Sequence, residues 1–572
     1  ALILLITRCN RERLRCYNGC FVRHPCERIK VDPVSKFFID DAGHTRVFHG
    51  VNAVQKLPPY LPQAAGFSIT RSLSDVDAAN LSSWGINIVR LGVLWVGVMP
   101  APGQLNHTYL EAARSMVRML AAHGIYTLID AHQDVMGARF CGEGFPSWAV
   151  EKALRLSSFN ASDPATSFPA PFDWNMSIDP GTGLPSRRAC SSHGDFSQYY
   201  TTTEATAARE SFFASAEMHA DFGDHWEAVA ATFKDESSVL GYEVRGGVAS
   251  GRPAEWRHGA CGRCLWPMPR GCLRATWNLS HASLTPRRSE LCPILLAQLI
   301  NEPWNNAPWA SDTKELLPLY QELHSRIRTQ DNETIVFFEP HVLNGQLGVA
   351  SDLPPGGPGG VAYNDRQAFA YHVYCQNDTS SLPSLLLCDA ALHLGWSSEE
   401  RSTHVGGGRM LTEFGAVSDS AHALDVLRLS LDLADKHMQS WAYWSFKSFD
   451  DVTTSANPLS EGFYRLDGSL QEAKVRVLSR PYAPLIAGQP MAWGFDEASG
   501  VYTLRYTCSE GLAGTTTIFA SQALHFPTGV AVSITPPSAA SWVQASENFI
   551  EVRHNAAALH TSLELEVVVR PL

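Results

Sequence analysis

Short apolar runs alternate with amphipathic segments along most of the chain. Residues 85–91 and 125–130 are apolar runs that end in or beside a charged residue, as buried parallel strands commonly do. Residues 73–84, with Ser74 as the N-cap and acidic residues in the first turn, and residues 109–123 follow the helical period. This alternation predicts βα units on a parallel sheet.

The pattern differs at the two ends of this region. Residues 36–40 and 46–52 have the pattern of a strand, a turn and a second strand. Beyond residue 485 the helical period stops, and short alternating strands are predicted at 501–506, 516–519, 530–534 and 563–569. Short strands of this kind are typical of an antiparallel sandwich.

Polar and aromatic side chains recur at or just past the ends of the predicted strands. They are Arg90, His132, Asp134, Asn301, Glu302, His372, Tyr374, Glu413 and Trp444. A (β/α)8 barrel keeps its chemistry at the carboxyl ends of its strands. The repeated placement therefore predicts an α/β protein, a (β/α)8 TIM barrel followed by a small C-terminal antiparallel β-sandwich.

Two of these residues are glutamates that follow apolar runs. Glu302 precedes Pro303, which ends the strand, and Glu413 precedes Phe414 and Gly415. Retaining glycoside hydrolysis needs two carboxyl groups about 5–5.5 Å apart, one as acid/base and one as nucleophile. The pair predicts this chemistry, with no metal and no cofactor.

Composition narrows the class of protein. The formal charge of −12 over 572 residues argues against a nucleic-acid partner. With 45% apolar and 18% charged residues, the chain is expected to be globular. No apolar run reaches the ~18 residues of a membrane-spanning helix.

Sequons and cysteines favour a secreted protein, or one of a secretory-pathway or lysosome-like compartment. Asn-x-Ser/Thr sequons occur at several positions, among them Asn80, Asn106, Asn160, Asn175, Asn332 and Asn377. In such a compartment Cys375 and Cys388 could form a disulfide. Cys261-x-x-Cys264 has metal-site spacing but lacks the partners of a tetrahedral set, so we interpret it as a chance pair.

Several motifs resemble the endoglycoceramidase-like branch of glycoside hydrolase family five. The most specific are Asp130-Ala131-His132-Gln133-Asp134 and Phe140-Cys141-Gly142-Glu143-Gly144. Asn301-Glu302-Pro303-Trp304 and Thr412-Glu413-Phe414-Gly415 indicate only the broader clan, and residues 48–52, 56–60 and 441–447 complete the set. The resemblance covers roughly residues 29–242 and 299–572.

The resemblance implies roles for the two glutamates. Glu302 would protonate the glycosidic oxygen, and Glu413 would attack the anomeric carbon. One carboxyl must start protonated and the other charged, so their environments must separate their pKa values. Asn301 would bind the sugar 2-hydroxyl, a contact that strengthens in the transition state.

The other strand-end residues would hold the nucleophile or the sugar. Tyr374, His372 and Arg90 would keep Glu413 ionised. The sugar would be bound by the remaining residues, namely Lys56, His132 and Asp134 at its non-reacting hydroxyls and Trp444 as the stacking surface.

The implied substrate is a glycosphingolipid, cleaved between the glycan and the ceramide. Residues 93–99 and 145–148 could line an apolar groove for the lipid, and core packing explains them equally well. The alternatives are a glucosylceramide or steryl β-glucosidase, a polysaccharide-cutting endoglucanase of the same family, and an inactive barrel that binds glycan or lipid. The expected partners are the glycolipid and a membrane or micelle surface, with no nucleic acid and no obligate protein partner.

Residues 244–298 do not fit the family pattern. That pattern runs from Leu-Gly-Tyr-Glu straight into Leu-Ile-Asn-Glu-Pro-Trp, whereas here 55 residues separate Glu243 from Leu299. The insert has eight Arg, no Lys and two Glu, without periodicity. Because it falls within a buried strand, it would break ladder bonds. Two interpretations stay open: a translated intron, whose ends can be encoded as splice sites, or a loop, with residues 294–300 forming the strand.

These patterns divide the chain into domains. Residues 1–28 are an unassigned, Cys-rich leader. Like the insert 244–298, this leader has the character of sequence that gene prediction included in error. Residues 29–485 form the glycosidase barrel, interrupted by 244–298, and residues 486–572 form the β-sandwich. The segment 157–209, rich in Pro, Ser and Thr, is expected to be a lid or a wall of the cleft.

Overall fold

The computed structural model describes residues 26–244 and 312–572, except for short gaps. The gaps are 161–162, 164, 194–195, 342–343, 345–347, 376–381, 454–457, 509–511, 513, 556–557 and 559–561. Asn301 and Glu302, with the Cys261–Cys264 pair and the insert beyond Val244, lie outside the described residues, as do residues 1–25 of the leader.

Three short strands precede eight longer ones. The short strands are β1 Lys30–Val31, β2 Phe38–Ile39 and β3 Thr45–Arg46. The longer strands are β4 His49–Ala53, β5 Ile88–Gly92, β6 Tyr126–Asp130, β7 Val239–Glu243, β8 Ile335–Phe338, β9 Gln367–Val373, β10 Gly408–Gly415 and β11 Ser440–Trp444.

The eight longer strands form a closed barrel in the order β10-β11-β4-β5-β6-β7-β8-β9. Each neighbouring pair is parallel, which confirms the predicted (β/α)8 barrel. β5, for example, is buried along its whole length, as expected for a strand covered by helices on one side and by the barrel interior on the other.

Helices lie between the strands. They are α1 Asp75–Ser83, α2 Trp95–Val98, α3 His107–Ala122, α4 Ser147–Leu156, α5 Arg187–Cys190, α6 Thr203–Ala214, α7 Ala216–Phe233, α8 Leu317–Gln330, α9 Leu382–Arg401, α10 Ala421–Lys436, α11 Pro458–Glu461 and α12 Glu472–Leu478. Single turns of 3-10 helix occur at Ala138–Phe140, Val361–Tyr363 and Thr403–Val405, a longer one at Phe196–Thr201, and a π-turn at Asp312–Leu316.

The start of α1 follows from its sequence. Ser74 accepts a hydrogen bond from the backbone N–H of Asp77, and the Asp77 carboxylate accepts one from the backbone N–H of Ser74 at 2.8 Å. This reciprocal capping box satisfies two donors that the first helical turn leaves open. The predicted N-cap at Ser74 is confirmed.

The N-terminal strands close the bottom of the barrel. Phe38 packs against Phe48 with ring centroids 5.8 Å apart, and against Phe337 at 5.9 Å. Ile29 and Val31 belong to the same buried cluster. Apolar side chains fill this end of the barrel. The polar side chains of a functional site are therefore expected at the other end, where the strands end.

The C-terminal region contains two antiparallel sheets. Its strands are β12 Tyr482–Ile486, β13 Gly488–Asp496, β14 Val501–Cys508, β15 Thr515–Phe519, β16 Val530–Thr535, β17 Ala540–Ser546, β18 Phe549–His554 and β19 Glu564–Pro571. One sheet has the order β13-β14-β19-β16, and the other has β12-β15-β18-β17. The expected C-terminal antiparallel sheets are confirmed.

The predicted strand 46–52 is divided in the structure. Its first residue belongs to β3, which pairs antiparallel with β12 and so extends the second C-terminal sheet by β1, β2 and β3. Its later residues form β4 of the barrel. The division occurs because Val47 is buried in the C-terminal core and Phe48 in the bottom of the barrel, so the chain must change sheets between them.

Two disulfides join described segments. Cys375 pairs with Cys388, as predicted, and Cys141 pairs with Cys190. The second bond ties the segment 157–209 to the loop after β6. None of the helices within the described ranges is both long and apolar enough to span a bilayer.

Candidate active site

Glu413 lies near the end of β10 and is fully buried at the barrel mouth. Its Oε1 accepts a hydrogen bond from Arg90 Nη1 at 2.6 Å, and its Oε2 accepts one from the Tyr374 hydroxyl at 2.9 Å. Both oxygens therefore face donors, one of them charged, which is a strong type of hydrogen bond. A carboxylate held in this way is positioned to act as a nucleophile.

Arg90 connects several acidic groups inside the barrel. Beyond Glu413, its guanidinium contacts Glu243 through Nε. Its Nη2 lies 2.8 Å from Asp130 Oδ1, and its Nη1 donates to Asn52 Oδ1 at 2.8 Å. The planar guanidinium offers five donors in a fixed arrangement. Arg90 can therefore hold the Glu413 carboxylate in one orientation while its other edges are fixed by neighbouring strands.

His372 lies on the other side of the nucleophile. Its Nδ1 is 3.4 Å from Glu413 Oε2, and its Nε2 is 3.0 Å from the Thr412 hydroxyl. Thr412 in turn donates to Glu243 Oε1 at 2.8 Å. The second ring nitrogen thus has a partner that orients the imidazole, as occurs in many catalytic histidines.

A second polar cluster, which we call the Lys56 cluster, consists of Lys56, Asp134, Glu143, Asp451 and Thr453. Lys56 Nζ lies 2.7 Å from Asp134, 2.9 Å from Asp451, 3.3 Å from Glu143 and 2.8 Å from the Thr453 hydroxyl. Burial alone would lower the pKa of Lys56, but the nearby carboxylates raise it well above its ordinary value. The ammonium is therefore charged throughout the ordinary pH range.

Two carboxyl groups that contact Lys56, those of Asp134 and Glu143, have pKa values shifted in opposite directions. Burial opposes the charge on Asp134, but Lys56 and His132 outweigh burial and lower the pKa of this carboxyl. Burial raises the pKa of Glu143 well above its ordinary value, and the negative charge of Asp134 adds to this shift. The pKa values of the two carboxyl groups are therefore shifted in opposite directions, down for Asp134 and up for Glu143.

Two glycines explain why Glu143 can reach this cluster. A Cβ on Gly142 would come within 1.9 Å of the Asp134 carbonyl oxygen, and Gly144 has φ +105. The strand-like pairing of Asp134 with Glu143 needs this close approach and this backbone conformation. The Cys-Gly-Glu-Gly motif is thus the local requirement for presenting a carboxyl group beside Lys56.

His132 and Trp444 connect the nucleophile to the Lys56 cluster. Their rings stack with centroids 5.1 Å apart. His132 Nδ1 is 3.9 Å from Glu413 Oε1, and its Nε2 is 3.4 Å from Asp134 Oδ2. Lys56 Nζ lies 5.0 Å from the centroid of the Trp444 ring. A continuous chain of polar contacts, with one aromatic ring beside it, therefore runs from Glu413 to Lys56.

The opposite pKa shifts of Asp134 and Glu143 can be tested by substitution. We expect Glu143→Gln to change the free energy of unfolding by less than about 1 kcal/mol, since burial already disfavours the charge on Glu143 and the amide carries none. Asp134→Asn should cost about 3–5 kcal/mol, since it removes an ionised partner of a buried ammonium. Denaturant unfolding of both variants measures the difference, and equal losses would contradict the assignment.

The structure brings together eight of the predicted site residues. They are Lys56, Arg90, His132, Asp134, His372, Tyr374, Glu413 and Trp444, and all lie at the carboxyl ends of the barrel strands or in the loops that follow them. Asn301 and Glu302 lie outside the described residues, so their predicted positions stay predictions.

Sequence reasoning assigned no role to several residues of the site. Glu143 lies in the Cys-Gly-Glu-Gly motif. The glycines on both sides of Glu143 were the feature of the sequence that could have marked it as a site residue. Tyr200, whose hydroxyl lies 3.2 Å from Asp134 Oδ1, comes from the segment 157–209 that was expected to form a lid or wall. Asp451 and Thr453 follow β11 by several residues, and no local pattern marks them.

The predicted apolar groove is only partly at the mouth. Trp95 packs in the core against Phe145, with ring centroids 4.9 Å apart, and against Trp148 at 5.4 Å. Leu94 and Val96, in contrast, belong to a small cluster around Trp444 that also includes Val54, Tyr60, Tyr374 and Ala416. Core packing therefore explains most of residues 93–99 and 145–148, and Leu94 and Val96 lie beside the site.

Two groups of described residues offer metal-ligand atoms within 4.8 Å of one another: His132, Asp134 and Glu143, and Glu243, Glu339 and His372. The ammonium of Lys56 contacts Asp134 and Glu143, and the guanidinium of Arg90 contacts Glu243. In each group a side-chain cation already balances the carboxylates, and it would repel a second cation at this distance.

Two family profiles match the chain. "Cellulase (glycosyl hydrolase family 5)" matches residues 71–259, and "Glycoside hydrolase family 5 C-terminal domain" matches residues 480–567. The first match includes the loop that carries the Cys-Gly-Glu-Gly motif, and the second coincides with most of the C-terminal strands.

Similar proteins extend over most of the chain. An endoglycoceramidase of Cyanea nozakii is 28% identical over 548 residues, covering 95% of this chain and 94% of its own length. An endoglycoceramidase of Hydra vulgaris is 29% identical, covering 89% and 83%. The structure of endo-glycoceramidase II from Rhodococcus sp. in its ganglioside GM3 complex has a TM-score of 0.66 at 20% identity, covering 94% of this chain and 99% of that one. The likeness to this structure establishes a common fold.

Proposed function

We propose that the chain belongs to the endoglycoceramidase-like branch of glycoside hydrolase family 5 and that it hydrolyses the β-glycosidic bond between glycan and ceramide in glycosphingolipids with retention of configuration. The observation that carries the proposal is the environment of Glu413. It is a buried carboxylate on a strand end, with Arg90 and Tyr374 donating to its two oxygens. Full-length similarity to endoglycoceramidases supports the class of substrate.

The proposed reaction has two steps. In the first, a Glu413 oxygen bonds to the anomeric carbon while the bond to the ceramide oxygen breaks, and Glu302 gives its proton to that oxygen. In the second, Glu302 takes a proton from water, the water oxygen bonds to the anomeric carbon, and the Glu413 ester breaks. Glu413 is the nucleophile, and Glu302 acts first as an acid and then as a base, so these two carboxyl groups suffice for both steps.

The register of the barrel supports the position of the acid. Glu243 is level with Phe337 of β8, and Phe337 is level with Ala368 of β9. His372, four residues further along β9, is level with Glu413. If β7 continued, the fourth residue after Glu243 would be level with the nucleophile and would face the barrel interior like Glu243, because successive side chains alternate.

This register bears on the insert. In the printed sequence Glu302 follows Glu243 by 59 residues, but it becomes the fourth residue after Glu243 when 244–298 are absent. We therefore propose that the active enzyme lacks these 55 residues and that they are translated intron. Val244 N–H still donates to Phe337 O at 3.0 Å, so β7 and β8 remain paired up to the start of the insert.

The remaining site residues are proposed to bind the sugars. Asp134 and His132 offer a carboxylate and an imidazole to hydroxyl groups, with the ammonium of Lys56 beside them, and Trp444 offers a face for the sugar at the cleaved bond. Leu94 and Val96 are proposed to begin the surface that receives the lipid.

A secretory compartment is proposed for the enzyme. Disulfides persist in oxidising compartments, and the described chain contains two. Three of the sequon asparagines, Asn160, Asn175 and Asn332, are exposed, as N-glycosylation requires.

The proposal is tested by the products. A ganglioside, glucosylceramide and a soluble polysaccharide are incubated side by side with the chain that lacks residues 244–298, and mass spectrometry identifies what is released. Release of the intact oligosaccharide and of ceramide supports the proposal. Cleavage of glucosylceramide alone would contradict it in favour of a simple β-glucosidase, and release from soluble polysaccharide only would favour an endoglucanase.

The Tyr374 hydroxyl gives a further prediction. We expect Tyr374→Phe to lower kcat by about 10–100-fold, because Glu413 Oε2 loses the hydrogen bond that the Tyr374 hydroxyl donates to it. KM should change little, since the ring remains. Tyr371→Phe is the matched control: Tyr371 lies on β9, three residues before Tyr374, and its hydroxyl donates to Gln439 at 3.2 Å. A normal kcat in Tyr374→Phe would contradict the assigned role.

A further inference from the structure

A polar cavity lies beside the Lys56 cluster. Its volume is about 530 Å³, which is within the usual range for ligand pockets, and all of its lining residues are polar: Gln63, Ser68, Thr70, Arg71, Ser448, Asp450 and Asp451. The loop after β4 supplies the first four, and the loop after β11 supplies the last three. Both loops are at the catalytic mouth of the barrel.

The cavity is connected to the nucleophile through residues already described. Asp451 lines the cavity, and its Oδ1 is 2.9 Å from Lys56 Nζ. Lys56 contacts Asp134, which faces His132, and His132 is 3.9 Å from Glu413. The cavity thus begins one side chain beyond the groups that are proposed to bind the first sugars.

The walls of the cavity are held by internal bonds. Asp450 Oδ1 accepts from Arg71 Nε at 3.0 Å and from Arg71 Nη2 at 2.9 Å, and its Oδ2 accepts from Gln55 Nε2 at 2.8 Å. Gln55 is only 2% exposed. Phe449 N–H donates to Thr70 O at 2.8 Å. The two loops are therefore joined by both backbone and side chain, and Asp450 has a fixed orientation.

The chemistry of the cavity suits a neutral sugar. Arg71 and Asp450 form an ion pair without net charge, and 57% of the Arg71 side chain is exposed. Within the described part of the chain, Arg71 Nη1 has no hydrogen-bond partner. A guanidinium edge next to a carboxylate offers donors and acceptors to adjacent hydroxyls, and the paired charges give no net attraction for a charged group.

We propose that this cavity binds the third sugar of the glycan, a neutral hexose, with Arg71 and Asp450 contacting its hydroxyls. The inference rests on the proposed function and extends it, because it makes the enzyme prefer glycolipids with at least three sugars over glucosylceramide. Binding energy from a sugar that does not react can support catalysis at the bond that does.

The test measures binding of free glycans to the full chain. The neutral trisaccharide and disaccharide of glycosphingolipids are titrated in separate experiments, and binding is followed by ligand-observed NMR. We expect the trisaccharide to bind about tenfold more tightly, as one or two additional hydrogen bonds give. Arg71→Ala and Asp450→Asn should each remove this difference and leave disaccharide binding unchanged.

Arg553→Ala is the matched control. Its side chain is 55% exposed and pairs with Glu551 at 2.7 Å in the C-terminal sheet, so the difference between the glycans should persist. Equal binding of both glycans by the unchanged protein, or a difference that survives Arg71→Ala, would overturn the proposal. Hydrolysis of glycolipid together with equal glycan binding would overturn the third-sugar site alone and leave the proposed reaction standing.

Discussion

Glu413→Gln is expected to lower kcat/KM for glycolipid by about 10⁴-fold or more, since loss of a nucleophile removes the covalent pathway. The amide keeps the size of the side chain, so the fold should persist. The measurement is the initial rate of glycan release, with thermal unfolding as a check on folding. A variant that keeps a tenth of the activity would exclude Glu413 as the nucleophile.

A covalent label gives independent support for this role. A fluorinated glycoside that slows the second step should add one sugar mass to the peptide containing Glu413, and the label should be absent in Glu413→Gln. Glu547, an exposed glutamate in the C-terminal region, provides the control. The Glu547→Gln variant should be labelled at Glu413, as the unchanged enzyme is. Labelling at another carboxyl would reassign the nucleophile.

Removal of residues 244–298 is expected to raise activity by about 10²–10⁴-fold, which is the usual contribution of a general acid. The reason is the register: Glu302 becomes the fourth residue after Glu243, level with Glu413. Adding Glu302→Gln to the shortened chain should remove the gain. The measurement is again the rate of glycan release by the full and shortened chains.

A shorter deletion provides the matched control. Removal of residues 245–298 makes Glu302 the fifth residue after Glu243, and a shift of one residue turns a strand side chain to the opposite face. The rate of glycan release by this variant should be as low as that of the full chain. Equal activity of the full chain and both shortened chains would contradict the proposal, and so would a mature transcript that retains the stretch.

The barrel was predictable because its signals are local. Buried strands such as β5 and β6 are apolar along their length, and the helix after Ser74 starts with a capping sequence. The nucleophile and most of its neighbours were predictable because they stand directly at strand ends. Arg90, for example, is a charged residue in an otherwise apolar run, and burial of such a residue requires acidic partners.

Other features depend on contacts between distant segments. Thr453 and Tyr200 reach the Lys56 cluster from loops whose sequences show no period, so only the folded chain reveals them. The strands β13, β17 and β18 were not predicted. Much of β17 is exposed, so its apolar pattern is weak. Residues 46–52 are divided between two sheets because they pack in two cores, the C-terminal core and the bottom of the barrel. The apolar pattern of the sequence does not show which residue belongs to which core.

The pairing of β3 with β12 has a consequence for how the molecule holds together. The first strands of the described chain complete a sheet whose other members come from its last hundred residues, and the same strands seal the base of the barrel. Strands β1 to β3 and the C-terminal strands therefore form one sheet, so residues that seal the barrel are hydrogen-bonded into the sandwich. Loss of the pairing between β3 and β12 would therefore remove hydrogen bonds that hold the barrel and the sandwich to each other.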